Sequence, residues 1–342
     1  MEVFADMGHV TGATDATSSE SESPPPNFPP TDVESGGAPF GATLEPVLAR
    51  ACDGRLHSIR WFRTDWQRGG ALTGYAMYQD DRGMTHDVVV KLPIPPSERQ
   101  WLVRLQGATN VAPHVYCHGE TLNGYDFAWV VMERLPHGPL GTAWGADAFD
   151  LLTDAACRFY ASAEAFPCGD GRPKDDDIDW LARLDQSRQA VQESAPPQSQ
   201  RWNKALKKAR RKVKEWAAQW AGRALHWRHG DLHLANAMTR TAPPNGPAVL
   251  LDYARTGIGH WIEDAIYVEY LYWGKRDLFA GKKICSLIAR GRKDHGLFVA
   301  DDWPRLADVR RLLLAVSVPL MKDHRGDPHH LQASLELLEA GV

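Results

Sequence analysis

Residues 229–236 read His229-Gly230-Asp231-Leu232-His233-Leu234-Ala235-Asn236, and sixteen positions beyond Asn236 an apolar run, Val249-Leu250-Leu251, ends in Asp252. Between them, residues 236–253 spell a hairpin, two short apolar runs around a Pro-Pro-Asn-Gly turn. An Asp and an Asn five residues apart, followed by an Asp leaving a strand, make a loop with one carboxylate for a substrate hydroxyl. The amide and the second carboxylate can both face a hard cation. Mg²⁺ prefers oxygen ligands and takes one or two from protein, leaving the rest to phosphate and water. Phosphoryl transfer needs that division of labour, with a metal neutralising phosphate charge and a base positioning the nucleophile.

The stretch HGDLHLANAM, followed by LLDYARTGIGHWIEDA, resembles the aminoglycoside phosphotransferase and choline kinase group within the protein-kinase-like fold. The matching positions are His229-Gly230-Asp231, Asn236, Asp252, Gly257 or Gly259, and Asp264. The resemblance implies an α+β, bilobal fold, with a small β-rich N-terminal lobe and a larger, mostly helical C-terminal lobe. It implies ATP and Mg²⁺ as cofactors, Asp231 as catalytic base, Asn236 and Asp252 as metal ligands, and Asp264 as a structural buttress. His229 is read as holding the loop by hydrogen bonding, and His233 as a loop-fixing residue. One departure is Tyr253-Ala254, where many relatives carry a second acid or a tryptophan. Metal binding therefore leans on Asp252 and Asn236 alone.

Upstream, residues 59–93 read as strands broken by glycine turns, and SERQWLVRLQ (97–106) as a helix capped by Ser97. Two further strands are expected in 111–120 and 126–135, and beyond Pro136 the pattern turns helical. Val88-Val89-Val90-Lys91 looks like the strand whose lysine holds the α- and β-phosphates in this fold, and Glu98 is the nearest acid able to pair with Lys91. Gly69 and Gly70 would lie in the phosphate-covering loop, where glycines let backbone N–H groups approach closely. The adenine hinge would be Val131 to Arg134, with Met132 and Glu133 offering backbone groups. A long helix is expected over 200–221, with Trp202, Leu206, Ala209, Val213, Trp216 and Trp220 as its buried stripe. Its other face is basic, eight of the fourteen residues from Arg201 to Lys214 being Lys or Arg, and is read as solvated, with an anion or nucleic-acid contact as the alternative.

The chain of 342 residues suits about two domains at ~150 residues each. We expect a Ser/Pro/Glu-rich disordered tail (1–43), a nucleotide-binding lobe (44–133) and a helical lobe with the catalytic loop and acceptor site (134–342). Hydrophobic residues make up 43% and charged residues 24%, ordinary for a globular protein. Five scattered cysteines without a CxxC pair argue against a disulfide scaffold or zinc finger. A formal charge of −4 argues against a surface built for nucleic acid. No apolar stretch reaches the ~20 residues of a membrane span, and MEVFADMGHV lacks the basic start of a signal peptide. The expected compartment is the cytoplasm.

The expected activity is ATP- and Mg²⁺-dependent transfer of the γ-phosphoryl group to a hydroxyl of a small molecule, aminoglycoside-like, a sugar or an amino-alcohol. Asp175-Asp176-Asp177 and Asp179 are read as a helix N-terminus, or as an acidic edge for an aminated substrate. Glu336 and Glu339 are expected to be solvated. The alternatives are a protein kinase, disfavoured by HGD in place of HRD and by the lack of an APE segment, and a pseudokinase-type binding module, disfavoured by intact Lys91, Asp231, Asn236 and Asp252. Oligomeric state is left open.

Overall fold

A computed structural model describes residues 38–63, 71–142, 145, 147–168, 178–221, 225–321 and 327–342. Gly69, Gly70 and Asp175 to Asp177 lie outside the described residues, as does nearly all of the expected tail. The first helix, α1 (Ala38–Ala51), begins inside the segment expected to be tail.

Strands β1 (Leu56–Arg63), β2 (Leu72–Gln79), β3 (Thr85–Ile94), β4 (Val115–Gly119) and β5 (Ala128–Glu133) form an antiparallel sheet in the order β1-β2-β3-β5-β4. Strand β5 is buried on both faces, and its alternation feeds two cores. Trp129 and Val131 join a small cluster with Leu48, Leu56, Leu72, Val88, Val90 and Leu92. Ala128 and Val130 join the main core of the molecule. Lys91 alternates with Val90 and Leu92 and stands opposite Val130, so it emerges on the face turned toward the main core.

Helix α2 (Pro96–Arg104) follows, and its start corrects the expected cap. Pro96 occupies the first turn, where its missing N–H costs nothing, and Ser97 caps no backbone amide. Trp101, Leu102 and Leu105 enter the main core.

The C-terminal half contains α3 (Ala148–Ala163), α4 (Trp180–Ser194), α5 (Ser199–Ala209), α6 (Val213–Trp220), α7 (Trp261–Leu271), α8 (Ile284–Asp294), α9 (Trp303–Ser317) and α10 (Pro328–Gly341). Two small ribbons lie among them: β6 (His226–Arg228) with β9 (Gly257–Gly259), and β7 (Ala237–Thr239) with β8 (Ala248–Leu250). The expected single helix over 200–221 is two. Amides of Arg211 and Lys212 bond back three residues, to Lys208 and Ala209, and tighten the chain between α5 and α6. Like charges four apart, Lys207 with Arg211 and Lys208 with Lys212, disfavour a continuous helix there. All six stripe residues are buried nonetheless, because Val213 keeps its place in the pattern across the break. The basic face is partly paired. Arg201 bonds Glu339, Arg210 bonds Asp185, and Lys212 reaches the carbonyl of Gly341. Glu339 is thus an ion-pair partner rather than merely solvated.

The halves meet around residues 110–113. Arg240 forks onto the Glu133 carboxylate with two bonds of 2.7 Å and bonds the Asn110 side chain at 2.7 Å. Arg158 joins the carbonyls of Asn110 and Ala248, while Tyr253 and the amide of Leu250 both bond the Val111 carbonyl. No helix among the described residues is long and apolar enough to cross a membrane.

Candidate active site

Strand β6 delivers the chain into loop 229–236, and α7 receives it. The helix opens with a capping box between His260 and Glu263. Glu263 pairs with Arg228 at 3.1 Å. Asp264, 1% exposed, accepts from the amides of His229 (2.7 Å) and Gly230 (2.8 Å) and from the Tyr160 hydroxyl (2.9 Å). Gly230 sits at φ +83°, and a Cβ there would lie 2.1 Å from the Arg255 carbonyl oxygen, so only glycine fits.

His229 is fully buried, and its Nε2 lies 3.0 Å from the Leu251 carbonyl, to which it donates. Its Nδ1 then accepts from the Asp231 amide at 3.4 Å, which makes the ring neutral and loop-fixing. Burial pushes its pKa below the ordinary histidine value. His233 caps the short turn after it, its Nδ1 accepting from Ala235 at 3.2 Å.

The Asp231 carboxylate faces three groups. The Tyr267 hydroxyl donates to Oδ1 at 3.0 Å, the Asn236 amide approaches Oδ2 at 3.5 Å, and His233 Nε2 lies 3.8 Å from Oδ1. Asn236 Nδ2 also donates to the Asp231 carbonyl at 3.0 Å, which leaves Oδ1 as the atom of its amide able to meet a cation. The pairing Ala237↔Leu250 and the bond from the Leu251 amide to the Asn236 carbonyl (2.8 Å) carry Asn236 and Asp252 to the same end of the hairpin. Asp252 adopts φ +59°, ψ +71°, a left-handed conformation that Asp tolerates better than most residues.

Lys91 reaches groups from both halves of the chain. Its Nζ lies 2.6 Å from Glu98 and 3.8 Å from Asp252. Glu98 is 2% exposed, and burial pushes its carboxyl above the ordinary range although Lys91 opposes the shift. Of the residues singled out from sequence, Lys91, Glu98 and Asp252 form one cluster and Asp231 with Asn236 the adjacent one. Met132 stands opposite Val89 and packs on the main core. At Glu133 the structure adds two commitments. Its side chain turns to Arg240, its amide donates to the His114 carbonyl at 2.7 Å, and the Arg134 amide donates to Asp87 at 3.2 Å. Those two amides are committed to sheet and loop and cannot also read a base. Burial raises the Glu133 carboxyl, but the Arg240 fork and the His114 amide outweigh it and hold the carboxyl below the usual range. Asp179 caps α4 by accepting from Leu181 and Ala182, which is the helix-terminus reading.

Tyr267 and Tyr160 were not visible from sequence as site residues. Tyr267 lies three residues beyond Asp264, hence on the same face of α7, and that spacing was the available signal. Tyr160 carries no local signal. Among the described residues no three His, Cys, Asp or Glu side chains converge on a metal position. The oxygens of Asp252 and Asn236 suit an ion that shares its coordination with phosphate and water, as Mg²⁺ does.

The phosphotransferase enzyme family matches residues 75–308. No curated protein sequence matches the chain. Among solved structures, one described as an aminoglycoside phosphotransferase from Ralstonia eutropha JMP134 is 16% identical, with a TM-score of 0.52 over 88% of this chain and 96% of that one. Another, an aminoglycoside phosphotransferase from Alicyclobacillus acidocaldarius, is 16% identical, with 0.51 over 78% and 86%. A spectinomycin phosphotransferase in complex with ADP and spectinomycin is 10% identical, with 0.51 over 83% and 89%. These likenesses concern the fold.

Proposed function

The chain belongs to the phosphotransferase enzyme family and is a kinase, and on that premise we propose that it moves the γ-phosphoryl group of ATP to a hydroxyl of a small molecule. The acceptor class is an aminoglycoside-like compound, a sugar or an amino-alcohol. The observation that carries the reading is the placement of Lys91 between Glu98 and Asp252, beside a hairpin end that also presents Asn236 and Asp231.

When bound, ATP supplies the phosphoryl group and Mg²⁺ neutralises its charge. Asn236 and Asp252 would hold the ion. Lys91, oriented by Glu98, meets the phosphates with a fixed positive charge. Gly69 and Gly70 would cover them with backbone N–H groups, and backbone groups around Met132 and Glu133 other than the Glu133 and Arg134 amides would meet the base. Asp231 receives the acceptor hydroxyl, orients it and takes its proton. A dissociative transfer asks the protein for position and charge more than for bond-making, so a well-held carboxylate suffices.

ADP release from MgATP tests this with a panel of aminoglycosides, amino-alcohols and sugars. Asp231→Asn should bind MgATP almost normally and turn over about a hundredfold more slowly or worse, the span of general-base assistance. Asp252→Asn should lose Mg²⁺-dependent nucleotide binding as well as rate. If the two variants exchange these behaviours, the roles are reversed. Silence of the wild type across the panel would favour a nucleotide-binding module.

A further inference from the structure

Helix α7 grips the chain from the end of β6 into loop 229–236 at three successive points. Glu263 meets Arg228, Asp264 meets the amides of His229 and Gly230, and Tyr267 meets the Asp231 carboxylate. Residues 264 and 267 are three apart on the helix, so they share one face. That face reads the loop in order, and its last contact is the only one of the three made to the Asp231 side chain.

We propose that Tyr267 is a positioning residue for phosphoryl transfer, its hydroxyl fixing the rotation of the Asp231 carboxylate so that the acceptor hydroxyl meets a carboxylate already aimed. This rests on the reading of Asp231 given above. An aspartate's χ1 settles in staggered wells, but its terminal χ2 is broad, so the carboxylate plane is not fixed unless its oxygens are held. Here Tyr267 takes Oδ1 at 3.0 Å, while the Asn236 amide, at 3.5 Å, gives only weak hold on Oδ2. Tyr267 is the stronger of these two restraints, and it comes from a rigid source. Its ring stacks on Tyr270 with centroids 6.5 Å apart and lies 6.4 Å from His233, and α7 itself is anchored by its capping box. Each carboxylate oxygen accepts more than one hydrogen bond, so Tyr267 can hold Oδ1 while the acceptor uses a remaining lone pair.

The variant is Tyr267→Phe, which keeps the ring and removes the donor. The probe is MgATP, with ADP release read in water alone and with spectinomycin, an aminopropanol and glucosamine added in turn. Loss of one hydrogen bond to a charged group at the step where Asp231 acts predicts a kcat about tenfold lower. The KM values for nucleotide and acceptor should stay within about twofold, because the bond aims the base and binds neither substrate. The melting temperature should fall by no more than a few degrees, too little to unfold the variant at the assay temperature. An unchanged kcat overturns the proposal. So does a rise in KM equal to the fall in kcat, or a lowered melting temperature that accounts for the loss, since either would make the hydroxyl a prop for binding or for the fold. Asp231→Asn in the same assay separates the two levels. If it keeps wild-type turnover, the base assignment itself fails. If it is slow while Tyr267→Phe is not, only the positioning role fails.

Discussion

Replacing Asp264 by Asn changes one atom in a site that is 1% exposed, and the structure says what that atom does. Oδ2 accepts from His229 N at 2.7 Å and from Tyr160 at 2.9 Å, while Oδ1 accepts from Gly230 N at 2.8 Å. An Asn placed here keeps its oxygen on the first pair and must turn its NH₂ against the Gly230 amide, donor against donor. One bond to a charged acceptor is lost, worth about 1.5–3 kcal/mol. The two that remain become neutral bonds, each weaker by about 1 kcal/mol. Relief of the buried charge offsets part of this, since desolvating a carboxylate costs several kcal/mol. A net loss of about 2–4 kcal/mol follows, a large share of a typical total near 5–15 kcal/mol. Tyr160→Phe removes one bond and creates no clash, so it should cost about 1.5 kcal/mol. Denaturant unfolding curves with equal slopes give both values directly. Turnover of Asp264→Asn, measured where it is fully folded, should also fall, because the Gly230 amide no longer has its anchor. An Asn variant within about 0.5 kcal/mol of wild type, the usual range for a neutral surface change, would refute the reasoning.

Lys91→Met leaves Glu98 buried without its cation, which should cost about 3–5 kcal/mol and weaken nucleotide binding. The Glu98 carboxyl already titrates above its unfolded value near 4.3. Its contribution is therefore favourable below that value and is lost as pH rises through the folded pKa, so Lys91→Met should lose stability more steeply than wild type as pH rises above that unfolded value, and adding Glu98→Gln should flatten the curve. His229 behaves oppositely. Its folded pKa is depressed by burial, so stability is present above the unfolded value near 6.5 and is lost as pH falls through and below it. Unfolding midpoints at pH 7.5 and 5.5 should differ for wild type and differ less for His229→Asn, with His118, His226 and His233, also depressed by burial, supplying the remaining slope.

Loop 229–236 and its hairpin could be read from the chain because their chemistry is local. Asp231 and Asn236 are five residues apart, and the hairpin turn that returns to Asp252 is written in Pro, Asn and Gly. The strands of the sheet were legible for the same reason, alternation being a short-range property. What escaped was set by distance in sequence. The Tyr160 hydroxyl reaches Asp264 across 104 positions, and Arg240 reaches Glu133 across 107. The second of these turns the Glu133 side chain aside, a contact that no local pattern announces. Helix ends failed for a subtler reason. Ser97 has the chemistry of a cap, but Pro96 already fits the first turn, and a buried stripe at 202–220 is the same whether the helix runs through or breaks at Arg211.

The bonds that Arg240, Arg158, Tyr253 and Leu250 make to residues 110, 111 and 133 decide where this molecule can bend. A bilobal chain suggests a jaw that swivels at its connecting strand. Here a swivel just beyond Glu133 would tear the Arg240 fork at once, and residues 110–113 are fastened to the helical half although they belong to the other by sequence. Helix α2 is held as well, with Trp101, Leu102 and Leu105 in the main core. The elements that make none of these bonds are α1, β1 and β2, which close over a separate small core. Leu48→Ala or Leu72→Ala should therefore loosen this outer layer and lower stability while leaving the contacts among Asp231, Asn236 and Asp264 in place.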